Sequence, residues 1–438
     1  MFSIEEIINA TKANVLKKEL DKGSFEISTD TRTIGEGQIY LPLKGPNFDG
    51  EDFIPQAIDN GAAGYFTKRD YILENSKLVL QVSDCLRAYL DLAKYYKTKI
   101  NPKTIAITGS SGKTTTKEMM ASVMSEAFKT HKTEMNFNNE IGLCKTILSM
   151  PEDTEVLVLE MGMRGFGEID FLSSYANPDV ALITNVGTAH IGRLGSRANI
   201  ARAKCEIKNY LNDNGVFIAP NDELIKNNVQ DGIFINPEDA EIIERRIGFT
   251  AFNYKGFRYE LNIEGDYNVQ NALGVIEAAK FLGISEEKIA DGLRKFTPVG
   301  NRWDVREIKG YKIINDSYNA NPDSMLAVIK TVMQNYDKPI LFVLGNMGEL
   351  GKDEVLYHQK VGIFLSDSIT DGVSVVTVGD LAHEISDVLN NIGKTSPNFE
   401  TNEDAAKYIL DNVPVGTTII LKASHSMQFE KILDYLKR

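Results

Sequence analysis

The segment "TIAITGSSGKTTTKEMM", residues 104–120, constrains the fold more than any other part of the chain. A short apolar run enters a Gly-Ser-Ser-Gly-Lys-Thr loop without a spacer. The residues after the loop place Met119, Met120, Val123, Met124 and Ala127 at helical spacing on one face. Strand, glycine loop and helix in that order belong to an α/β domain with a parallel sheet. The loop is shorter than the usual phosphate-binding pattern, which has four residues between its first Gly and Gly-Lys-[Ser/Thr]. Only Ser110 and Ser111 separate Gly109 from Gly112. Its chemistry still suits phosphate: backbone N–H groups can close round oxygens, and the helix N-terminus adds partial positive charge. Lys113 brings a full charge, and the Thr114 hydroxyl can ligate Mg²⁺. Gly109, Ser110, Ser111, Gly112, Lys113, Thr114 and Thr115 are therefore the candidate nucleotide-binding loop. A tight turn with an incidental lysine is the plainer alternative, and the context outweighs it. The loop alone does not separate kinases, motors, switches and ligases.

At 438 residues the chain is too long for one ordinary core. Residues 1–98 hold short β-like runs, "GQIYLPLKG" and "LVLQVSD", and end in an amphipathic helix that Asn101-Pro102 breaks. Residues 99–307 carry the loop and two further strands, "EVLVLE" and "DVALIT", apolar on both faces as buried parallel strands are. Residues 308–438 alternate "YKIIND", "PILFVLG", "VSVVTVG" and "TTIILK" with helical stretches, the pattern of a second doubly wound, Rossmann-like unit. The expected architecture is three α/β domains: a smaller N-terminal one, a central P-loop ATPase-like one and the doubly wound C-terminal one. "FTPVGNRWD", with Pro298 and Gly300, is the expected hinge-side linker.

The net charge is −13, which argues against a general nucleic-acid or membrane-surface binder. The three cysteines are far apart and outside any C-x-x-C spacing, so neither a disulfide framework nor a zinc site is expected. No secretory signal and no membrane-length apolar run is visible, and the expected location is cytoplasmic.

Carboxyl ends of strands face the ligand crevice of an open α/β sheet. Glu160 closes one strand, and His190 follows another in "TNVGTAHIG". A Glu there can hold Mg²⁺; it can equally be solvated or salt-bridged, and a lone His is usually a structural hydrogen-bonder. Lys204, in "IARAKCEI", is by default a surface or paired lysine.

Taken together, Thr108 to Thr115, "NFNNEIG", "LEMGMRGFGEI", "TNVGTAHI", "IARAKCEI", "YNVQNALGV", "NDSYNANPDSM", "GNMGELG" and "LKASHSM" resemble the Mur ligase family, ATP-dependent amide-bond formers of peptidoglycan precursor synthesis. The match runs from about Ser28 to the C-terminus. "DSYNANPDSM" and "GNMGELG" are most similar to the member that adds D-alanyl-D-alanine to UDP-N-acetylmuramoyl-tripeptide.

The resemblance implies ATP and Mg²⁺ as cofactors, with Lys113, Glu160, His190 and Lys204 as the catalytic set. Thr114, Glu160, His190 and Lys204 would hold metal, the lysine as a carbamate. Asn268 and Asn271 would contact adenine, and Arg302 and Asp316 would hold the nucleotide. Ser28, Thr29, Asp30, Arg32 and Lys44 would bind the UDP part. Asn138 and Asn139 would lie near the reacting substrate, with Tyr318, Asn319 and Asn321 facing the dipeptide. Asn321 or Asp323 also suits a helix cap. Four positions depart from the family pattern: Glu51 stands where His is common, Tyr267 replaces a His, and Ala423 and His425 replace Gly and Arg. A monomer is expected. Another Mur-type amide ligase and a P-loop nucleotide switch remain the alternatives.

Overall fold

The computed structural model describes residues 1–20 and 23–438. They form two compact units, Met1–Lys103 with His131–Leu159, and Thr104–Thr130 with Glu160–Arg438.

The first unit is built on a five-stranded sheet in the order Asn14–Lys18, Leu78–Gln81, Gly64–Thr67, Ile39–Tyr40, Ile27–Ser28. The first pair is antiparallel and the others are parallel. The stretch "GQIYLPLKG" contributes only Ile39 and Tyr40 as strand. The amphipathic helix spans Cys85–Ile100, begun by Asp84, which accepts from Arg87 N, and ended by Asn101 in the left-handed conformation. It packs against helices Ile4–Thr11 and Glu140–Leu148.

The second unit holds three sheets. Strands Ile233–Ile235, Val216–Pro220, Val180–Ile183 and Lys103–Thr108 pair in that order, all parallel. Ala240–Arg246, Phe249–Tyr254 and Phe257–Leu261 form an antiparallel meander that the sequence reading did not separate from its surroundings. The C-terminal sheet runs Asp304–Ile308, Tyr311–Asn315, Thr418–Lys422, Ile340–Gly345, Val373–Val378, Asn398–Phe399. Its first pair is antiparallel and the rest parallel. The final helix, Glu430–Lys437, buries Ile432, Leu433 and Leu436 against this sheet's core, with Phe429 at its N-cap. Glu264, fully buried, accepts from Gly248 N at 2.8 Å and from the Tyr336 hydroxyl, so the meander and the helix Pro322–Asn335 share one carboxylate.

Candidate active site

The short glycine loop is braced from outside. Thr184 Oγ1 donates to Ser111 O at 2.6 Å. The Asn185 amide accepts from Ser111 N at 3.1 Å and donates to Ser111 O at 3.0 Å. Ser110 N donates to Asn185 O, and Gly187 N donates to Ser110 Oγ at 2.9 Å. A loop with two fewer residues has fewer backbone groups to satisfy one another, and the 184–187 segment supplies the missing partners. Two glycines are sterically required. A Cβ on Gly109 would overlap Thr184 Oγ1, and one on Gly112, at φ +76°, would run into the Asn271 amide. Asn185 and Thr184 were not singled out from the sequence; their signal was their place directly after a buried strand.

Lys113 opens the helix Lys113–Met124 and donates from Nζ to Gly109 O at 2.7 Å. Burial pushes its pKa down, and the Glu160 carboxylate works in the opposite direction. Thr114 Oγ1 donates to Glu160 Oε2 at 2.8 Å. Lys204 is 1 % exposed, and burial followed by the charge of Lys113 holds its pKa well below the usual lysine range. Lys113, Thr114, Glu160 and Lys204 are thus drawn into one electrostatic cluster. His190 takes a different partner: its Nδ1 lies against the Glu349 carboxylate as an ion-pair contact, and the nearby ring holds the Glu349 pKa below the usual range. Among the described residues no three His, Cys, Asp or Glu side chains converge as a metal cluster. A hydroxyl beside a carboxylate is nevertheless a hard-oxygen donor pair of the kind Mg²⁺ takes.

Asn268 donates from Nδ2 to Glu264 O at 2.7 Å, and its Oδ1 is buried without a partner. An orphaned buried acceptor is costly unless a ligand donor meets it, which suits an exocyclic amine. Tyr267 packs edge-on to Trp303, ring centroids 6.4 Å apart. Arg302 lies over the Tyr318 ring at 3.6 Å, and His425 is 5.7 Å from that ring on centroids. Asp316 is paired with the buried Lys422 at 2.6 Å and accepts from Trp303 N at 3.2 Å. Lys422 also donates to Asn319 O at 2.8 Å, so it shapes the 316–319 turn.

In "NANPDS" the cap belongs to Asn321, which exchanges hydrogen bonds with Ser324 in a capping box. Asp323 is left to accept from Thr188 N at 2.6 Å and Thr188 Oγ1 at 2.7 Å. Asn319 Oδ1 accepts from Ala320 N.

The remaining candidates belong to the first unit. Asp30 forms a fork with Arg32, Nε to Oδ1 at 2.9 Å and Nη2 to Oδ2 at 2.6 Å, which lowers its pKa to about 2. Arg32 remains 82 % exposed. Ser28 Oγ donates to Asp30 O at 3.3 Å, with Thr29 between them, and the Lys44 backbone pairs with that of Asp49 in an isolated antiparallel β-bridge. Glu51 points inward: it is buried and held by Arg69 at 2.7 Å and by Thr67 Oγ1 at 3.3 Å. Asn139 caps the helix Glu140–Leu148 through Gly142 N, and Asn138 N donates to Asn136 O.

Three domain families match in succession: "Mur ligase family, catalytic domain" over residues 26–101, "Mur ligase middle domain" over 107–279 and "Mur ligase, glutamate ligase domain" over 301–425. A UDP-N-acetylmuramoyl-tripeptide–D-alanyl-D-alanine ligase of Bacillus subtilis is 38% identical, covering 99% of this chain and 97% of its own. This chain belongs to the Mur ligase family. The ligase of the same description from Escherichia coli is 29% identical over 94% of this chain and 93% of its own. Among solved structures, MurF from Acinetobacter baumannii superposes with a TM-score of 0.91 at 30% identity, covering 100% and 99% of the two chains. MurF from Thermotoga maritima in complex with ADP gives 0.84 at 27% identity, covering 94% and 97%. The Mur ligase architecture, and with it the α/β class read from the sequence, holds over the whole chain.

Proposed function

We propose that the protein is the ATP-dependent ligase that joins D-alanyl-D-alanine to UDP-N-acetylmuramoyl-tripeptide in peptidoglycan precursor synthesis. The observation that carries this is the braced loop with Lys113, Thr114 and Glu160 in one cluster, within a chain similar end to end to ligases of that description.

A carboxylate does not condense with an amine in water because its oxygen is a poor leaving group. Transfer of the ATP γ-phosphoryl group to the tripeptide carboxylate gives an acyl phosphate. The dipeptide amine then attacks the acyl carbon, and phosphate departs from the tetrahedral intermediate. For the first step the chain supplies position and charge: loop N–H groups, the helix N-terminus and Lys113. The bond from Lys113 to Gly109 O keeps the ammonium within its own loop, ready to exchange a carbonyl for a phosphate oxygen. Mg²⁺, held by Thr114 and Glu160 with help from His190 and a carbamylated Lys204, would neutralise phosphate charge. A carbamate forms when a neutral amine attacks CO₂, and a lysine whose pKa burial has lowered presents that neutral amine.

Asn268 and Asn271 would meet adenine, and Arg302 and Asp316 the nucleotide. The Asp30–Arg32 fork and Lys44 would meet the UDP moiety, and the turn around Tyr318 the dipeptide. We assign residues 1–98, 99–307 and 308–438 to UDP substrate, ATP and dipeptide respectively. No described helix is long and apolar enough to cross a membrane, and we place a monomeric enzyme in the cytoplasm.

Phosphate release tests the reading. Release is expected only when ATP, UDP-N-acetylmuramoyl-tripeptide and D-alanyl-D-alanine are all present. Equal release with ATP alone would identify a nucleotide switch instead.

A further inference from the structure

His190 and Glu349 meet from different parts of the second unit, and both are non-glycine residues in left-handed backbone, at φ +65° and +61°. Such conformations persist where the surroundings over-determine them, and they gather at functional sites. The surroundings of Glu349 do so. Its loop, residues 345–351, is fixed by three independent brackets. Met347 N donates to His358 Nε2 at 2.9 Å, Gly348 N donates to Ser424 Oγ at 2.7 Å, and Asn346 Oδ1 accepts from Leu381 N at 3.0 Å and Ala382 N at 2.8 Å. On the opposing side, Gly192 N donates to Glu349 O at 3.1 Å, two residues beyond His190. The Glu349 charge also reaches Lys113 of the phosphate loop.

We propose that Glu349 is a positioning residue: its carboxylate, in ion-pair contact with His190 Nδ1, accepts the Nδ1 proton as its hydrogen bond, which fixes the ring and leaves Nε2 as the nitrogen offered to the active site. A carboxylate accepts only, so the neutral ring beside it carries its proton on Nδ1. Since Glu349 rides on the C-terminal sheet's loop and His190 on the loop after strand Val180–Ile183, the ring is set only when the two parts are seated together. The inference rests on the ligase reading for the purpose of the ring, and not for the contact itself.

The test uses full-length protein with ¹⁵N-labelled histidine; five histidines keep the ring spectrum assignable. In metal-free enzyme at roughly pH 9, where imidazole is neutral, His190 is expected as the Nδ1–H tautomer. Glu349→Ala should abolish that preference, and Glu349→Gln should restore it because the carboxamide oxygen also accepts. Mn²⁺ affinity, read by electron paramagnetic resonance with ADP present, should fall by about 10–100-fold in Glu349→Ala, the usual cost of losing a carboxylate behind a metal-binding histidine, and recover in Glu349→Gln. An unchanged ring spectrum, or unchanged Mn²⁺ binding, in Glu349→Ala overturns the proposal. If the wild-type enzyme forms no dipeptide-containing product while the ring responds as expected, the ligase reading fails and the positioning of His190 stands.

Discussion

In the proposed function Lys113 is the residue on which phosphate chemistry turns, and its Nζ is held by Gly109 O of its own loop. Methionine at this position keeps the length and removes the charge. Lys113→Met is expected to lower kcat by about 10²–10³-fold, the range found when one donor to developing charge is deleted, with the melting temperature unchanged or raised because burying the ammonium is unfavourable. A coupled ADP assay beside thermal unfolding checks both. Glu51 carries the opposite lesson. Where a substrate-contacting His is common in the family, this chain has a carboxylate turned into the first unit, paired with Arg69 and accepting from Thr67. Glu51→Ala strands those donors and is expected to cost about 1–3 kcal/mol. Urea unfolding measures it, and a neutral result would mean that water replaces the carboxylate.

The loop 345–351 depends on one imidazole. His358 is fully buried, accepts Met347 N–H on Nε2, and its Nδ1 lies 2.7 Å from Glu354 O. That arrangement requires the neutral ring, and burial accordingly pushes the His358 pKa below the usual value; nearby Glu354, Glu384 and Asp380 pull it upward more weakly. In the unfolded chain the ring takes up a proton near pH 6.5. The stability it contributes is therefore present above that pH and is lost as pH falls toward the lower folded pKa, at up to about 1.4 kcal/mol per pH unit. Chemical denaturation between pH 7.5 and 5 should show this slope in the wild type and a shallower one in His358→Gln.

Much of this element structure was legible in the sequence. Strands buried on both faces, such as "TIAIT" and "PILFVLG", and the Cys85–Ile100 helix announce themselves by composition and period. The meander Ala240–Leu261 did not, because its first strand is largely solvent-facing and gives no clean alternation. In the candidate site, the glycine loop Gly109 to Thr115 stood out because its residues are contiguous. The partners of His190, Asp323 and Asp316 could not, since Glu349, Thr188 and Lys422 are remote in sequence and only the fold brings them near.

At the scale of the whole second unit, the part carrying the glycine loop and the part carrying the C-terminal sheet are joined by specific polar contacts. Asp323 with Thr188 is one; Glu264 with Tyr336 is another. Gly187, beside Thr188, is bonded to Ser110 of the glycine loop, so Asp323 is linked through Thr188 to that loop. A double-mutant cycle with Asp323→Ala and Thr188→Val should give a coupling of about 0.5–3 kcal/mol in kcat/KM for the dipeptide, since both ends belong to one contact. Strict additivity would mean that the two side chains act separately.

The Gly192–Gly351 contact adds a constraint of its own. A Cβ on Gly192 would run into Gly351 N, so main chain meets bare main chain there. The backbone contact lies beside the bond from Gly192 N to Glu349 O and two residues from where His190 meets Glu349. That bareness makes the seam intolerant: a single methyl group on Gly192 would act as a doorstop, holding the two stretches of main chain apart.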